Sequence, residues 1–178
     1  MRNIVPLLLF VLIPFFSFSQ ANVQQAGESL MLNWPDNEHW KVGSDQENNE
    51  EHLIELIHEN ETIDKWTELG TMMSIKGAVN VPVDTSMQLM FRSALNTAPK
   101  AKLTFIQKDD HAEYPWIIFL IESPGFTNDN TPESQLWYIV QGKQGLYANF
   151  VALKKAKIPD DFKKKWVAFF KTGKVVYQ

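Results

Sequence analysis

Cysteine is absent from all 178 residues. That excludes a disulfide framework, a thiol nucleophile, an iron–sulfur site and a lipid-modified cysteine, since each of these needs the sulfur. The short patterns that mark several enzyme classes are missing too. No serine stands in a nucleophile elbow, and the chain has neither a Gly-rich phosphate loop nor a His-Glu-x-x-His pair. No arginine or interleaved aromatic pattern accompanies the basic segment, so nucleic acid is not an expected partner. Internal repeats and low-complexity stretches are likewise lacking.

Long apolar runs are scarce, and the one at the front is short. Arg2 gives a positive start, residues 4–16 form an uncharged apolar run, and Ser17 and Ser19 stand where small residues precede a cleavage site. This layout predicts a secretory signal peptide over residues 1–19, cleaved after Ser19. The run falls short of the roughly 20 residues that span a bilayer. The expected location is therefore exported, periplasmic or extracellular. The remaining residues, 20–178, are read as one domain, long enough to hold its fold by a core and without disulfides.

Charge is unevenly spread. Residues 36–64 hold ten acidic side chains against Lys41 alone, and residues 154–174 hold eight lysines against Asp160 and Asp161. Two solvated faces account for this. A sharper reading gives the Lys-rich end weak contact with an acidic partner or an anionic membrane.

What the chain has in abundance is sheet-forming sequence. Four runs dense in β-branched and aromatic residues lie at 103–106, 116–121, 136–140 and 146–151, with turn residues between them. Gly142-Lys143-Gln144-Gly145 predicts a tight hairpin between the last two. Earlier strands are expected at 39–42, ended by Gly43, at 51–58, and at 69–76, ended by Gly77. Residues 20–32 read as a loose leader or a short helix, and Thr62–Trp66 as one helical turn capped by Thr62. Residues 85–96 predict a helix with Thr85 and Gln88 as a capping box, because Met87, Met90, Phe91, Ala94 and Leu95 recur at helical spacing. A second helix opens near Pro159, with Phe162, Trp166, Phe169 and Phe170 inward, Lys163, Lys164 and Lys165 outward, and Gly173 as a left-handed cap. Val175–Tyr177 adds an edge strand. The fold class expected is α+β: an antiparallel sheet packed by two main helices.

No catalytic, cofactor or metal residue is assigned. His52 and His58 share a strand face about 20 Å apart, too far to hold one ion. Asp109, Asp110, His111 and Glu113 form the one tight cluster of oxygen and nitrogen groups, and a hairpin turn explains it. Six tryptophans are expected mostly in the core. Tyr138 and Tyr147, in the hairpin strands, can line an exposed face and a pocket for an apolar or sugar-like ligand.

The order of elements resembles a known fold. An early Trp-containing strand, an acidic strand, the Glu61-Thr62-Ile63-Asp64-Lys65-Trp66-Thr67-Glu68 turn, a helix, four strands and a Lys- and Phe-rich final helix resemble the PsbP-like fold. Photosystem II extrinsic subunits and DcrB-like envelope proteins share that fold. The resemblance implies an accessory or binding module without catalysis, acting on an unknown protein or small ligand. The alternative is an extracytoplasmic, hydrolase-like enzyme.

Overall fold

In the computed structural model, residues 27–178 are described; the expected signal peptide and residues 20–26 lie outside them. In chain order the elements are β1 (Glu28–Met31), β2 (Trp40–Glu47), β3 (Glu51–His58), β4 (Glu68–Lys76), α1 (Val83–Thr97), β5 (Lys102–Asp109), β6 (Trp116–Ser123), β7 (Glu133–Gln141), β8 (Gly145–Leu153), α2 (Asp160–Phe170) and β9 (Lys174–Tyr177). The fold is α+β and dominated by strand. Seven strands form one antiparallel sheet in the order β2-β3-β4-β8-β7-β6-β5, while β1 and β9 pair with each other.

Alternation along the strands sorts the core into two layers. Ile117, Phe119, Ile121, Trp137, Ile139 and Ala148 face α1, meeting Met87 and the half-buried Met90, Phe91, Ala94 and Leu95. The opposite face carries Ile118, Leu120, Leu136, Tyr138, Val140 and Val151. These meet Trp166 and Phe170 of α2 and Leu30 of β1. The helical stripes read from sequence are thus the packed ones. A third cluster, Ile57, Leu69 and Ala152, is roofed by Ile63 and Trp66.

Several local expectations are corrected. The polar stretch before residue 32 holds β1, a strand too short for a periodic signal but anchored by buried Leu30. Gly43 does not end β2; the strand runs on to Glu47 past a register shift between Val42 and Ser44. Bulges of this kind absorb a residue without ending a strand. Thr62–Trp66 is a tight turn closed by a Thr62–Lys65 bridge and contains no helix. α1 begins at Val83 with Pro82 as its cap, so Thr85 lies in the first turn and caps nothing. Gly173 has no left-handed backbone; among the described glycines Gly77 alone has positive φ, at 73°, where β4 ends. Gly173 is small because a Cβ there would lie 3.1 Å from Leu32 Cδ2 and 3.3 Å from Tyr138 Cε1.

Candidate functional site

The histidines of β3 do not converge. His52 Nε2 lies 2.8 Å from Asp45 Oδ1. His58 places Nδ1 2.8 Å from the Glu38 carbonyl and stacks on Trp40 at 4.3 Å between ring centres. The acidic cluster diverges as well. Asp109 Oδ1 accepts the His111 and Ala112 N–H groups at 2.9 and 3.0 Å, as a turn aspartate does. Asp110 pairs with Lys108 at 2.6 Å, and Glu113 pairs with Lys143 at 2.8 Å. Among the described residues no group of three or more His, Cys, Asp or Glu is placed to hold a metal ion.

The lysines of α2 are more occupied than the sequence led us to expect. Lys163 pairs with Asp160 at 2.6 Å. Lys165 pairs with Glu38 at 2.7 Å, and its ammonium lies 4.6 Å from the Trp166 ring centre. Lys164 is exposed, as read from the sequence.

Beyond the end of α2 the chain closes over a bowl of about 510 Å³. Trp116, Tyr138 and Val140 form its floor, because the β6–β7 register sets them on one sheet face. Leu30 of β1 and Val175 of β9 form one wall, and Tyr114 forms another. The volume lies in the range usual for small-molecule sites, about 300–1,000 Å³.

Tyr138 is the central residue. It is 4% exposed, its ring stacks on Phe170 at 5.4 Å, and Trp116 lies 6.1 Å away. Burial pushes its hydroxyl pKa up to about 12, so the group stays a neutral donor in ordinary conditions. That hydroxyl has no hydrogen-bond partner among the described residues, whereas those of Tyr147 and Tyr177 both reach Glu28. Charge is also unmatched at the rim. Lys171 and Lys174 line the bowl, both exposed, and neither pairs with a carboxylate among the described residues. Lys171 Nζ lies 5.9 Å from the Trp116 ring centre. Glu113 is the one lining carboxylate, and Lys143 already holds it.

Glu28 fixes β1, and hence Leu30, against the hairpin. Its carboxylate accepts the Lys143 and Gln144 N–H groups at 2.9 and 3.0 Å and the Tyr147 and Tyr177 hydroxyls at 3.2 and 2.7 Å. Burial would raise the Glu28 pKa, but these four donors outweigh it and hold the group below its ordinary value. Gly142 is needed beneath this knot, where a Cβ would run into the Glu28 carboxylate and lie 2.8 Å from Tyr147 Cε2.

No family model and no curated protein matches the chain. The site therefore rests on its own chemistry. A second hollow, about 300 Å³, lies beside α1 and is lined by Met73, Met90, Phe126 and Trp137. Its polar groups serve each other: Trp137 Nε1 donates to Gln135 Oε1 at 2.9 Å, and Gln135 Nε2 donates to Glu133 Oε1 at 2.8 Å. The bowl differs in leaving a hydroxyl and two ammonium groups without hydrogen-bond or ion-pair partners among the described residues. Sequence reasoning had singled out Tyr138 and Tyr147 as lining an exposed face. Both are buried; Tyr138 alone reaches the bowl, and Tyr147 serves the Glu28 knot. The sequence places Trp116 with the core tryptophans, and Lys171 and Lys174 in a Lys-rich end facing an acidic partner; only the topology brings the three to one bowl.

Proposed function

We propose that this chain is an exported, non-catalytic binding module of PsbP-like architecture, and that its bowl takes a small ligand with an apolar body. The observation that carries the reading is the Tyr138 hydroxyl, set on an aromatic floor without a partner among the described residues. Tyr138 lines the bowl and is not sealed in the core, so a ligand acceptor can reach the hydroxyl and gain a hydrogen bond worth about 0.5–1.5 kcal/mol. The apolar walls supply the rest, at about 25 cal/mol per Å² of surface removed from water. Export rests on the leader at residues 1–19, and the architecture on the order of elements along the sequence. No observation favours the hydrolase-like alternative.

The test is a titration with 1-decanol, a neutral probe with one acceptor, followed by amide resonances in two-dimensional NMR. Shifts should concentrate at Trp116, Tyr138, Val140, Gly173 and Val175. Tyr138→Phe should keep the fold and weaken binding about tenfold, the factor that corresponds to about 1.4 kcal/mol. Shifts scattered elsewhere, or a Phe variant that binds as well as wild type, would remove the bowl from this role.

A further inference from the structure

Resting on that reading, we infer that the ligand is a carboxylate: a small anion with an apolar body, held by Tyr138, Lys171 and Lys174. The apolar part has an obvious seat. Trp116, Tyr114, Val140 and Leu30 offer aromatic and aliphatic surface, with no carboxylate among them. The head-group end is where selectivity arises. The three side-chain groups that the bowl leaves unpaired among the described residues can all donate. The Tyr138 hydroxyl is neutral, and Lys171 and Lys174 are cationic with no ion-pair partner among the described residues. A cationic ligand would meet two like charges and a phenol held in its protonated form. An alcohol would satisfy Tyr138 but leave both ammonium groups unused. A carboxylate uses all three, and hydrogen bonds to an ionised acceptor are about twice as strong as neutral ones.

The neighbouring charges reinforce this preference. Glu113 at the rim is held by Lys143, which lies 5.0 Å from the Tyr114 ring centre. Glu28 is enclosed by four donors of its own and does not line the bowl. Neither acid is therefore free to draw Lys171 or Lys174 away. Lys171 lies within cation–π range of Trp116, so its head already hangs over the floor. The two lysines stand on either side of the turn at Gly173, the residue that lets the chain close on the Tyr138 ring.

The experiment compares three probes with the same ten-carbon chain: decanoate, 1-decanol and decyltrimethylammonium, each kept below its micelle concentration and measured by calorimetry. Decanoate should bind at least tenfold more tightly than decanol, and the ammonium more weakly than decanol. Raising salt should weaken decanoate and leave decanol unchanged. Lys171→Gln/Lys174→Gln should bring decanoate down to the decanol level, while Lys164→Gln, an exposed lysine outside the bowl, should change nothing. Thermal melts of these surface variants check that each is folded. Equal binding of all three probes would overturn the anion assignment and leave the binding reading standing. Binding of none would remove both. Vesicles of phosphatidylglycerol separate a free carboxylate from a membrane surface: capture by vesicles through the same two lysines, with no decanoate binding, would replace the small-molecule proposal with a lipid one.

Discussion

Glu28 shows how much one carboxylate can organise when its two oxygens gather four donors. Its folded pKa is depressed, so it contributes stability above the ordinary carboxylate value near about 4.3, and that contribution fades as pH falls through the lower folded value. Glu28→Gln should therefore lower the urea midpoint at pH 7, and the gap from wild type should close as pH falls below the ordinary carboxylate range. A gap that stays constant as the solution is acidified would mean the side chain acts by shape and not by charge. Gly70 carries a similar lesson without charge. Trp34 lies so close over β4 that any Cβ at residue 70 would collide with its ring. Nothing in the sequence near Gly70 announces this, because the ring arrives from thirty-six residues upstream.

At the level of elements, α2 and the strands beneath it were legible for one reason. Their apolar residues recur at the period of the element that buries them, as Phe162, Trp166, Phe169 and Phe170 do on α2. Trp166 is fully buried, meeting Phe169 at 5.0 Å and Trp34 at 5.3 Å. Trp166→Ala should cost roughly 3–5 kcal/mol in chemical denaturation. Lys165→Gln breaks the link to Glu38 and should cost at most about 1 kcal/mol, while Lys164→Gln should cost nothing measurable. A Trp166 variant as stable as wild type would mean that α2 is not docked. What periodicity could not supply were the ends and the short pieces. Four residues of β1 are too few to show alternation, and the start of α1 follows Pro82 and the burial of Val83 more than the Thr85–Gln88 pattern. The bowl was illegible for a related reason. Tyr138 could be read as lining a pocket, but its burial, the other lining residues and a hydroxyl without a partner among the described residues appear only in the tertiary structure.

Across the whole molecule, the bowl is built from distant pieces: β1 near one end of the described chain, β6 and β7 in its middle, and the α2–β9 turn near the other. Contacts between residues so far apart in sequence close slowly, because chain entropy must be lost before they stabilise anything. In refolding from urea, the far-UV signal of the seven-stranded sheet should recover first, and the capacity to bind decanoate should lag behind it in stopped-flow mixing. Simultaneous recovery would mean that β1 and β9 join the cooperative unit of the main sheet.

The pairing of β1 with β9, sealed by reciprocal hydrogen bonds of 2.8 and 3.0 Å between Gly27 and Gln178, also sets an order in time. A polypeptide made, or threaded through a pore, with its amino end leading carries β1 as an open strand edge for almost its entire passage. Such edges invite pairing with other chains. Among the described strands β1 is the earliest to be made and the last to find its neighbour, so the bowl lacks one wall until β9 has followed.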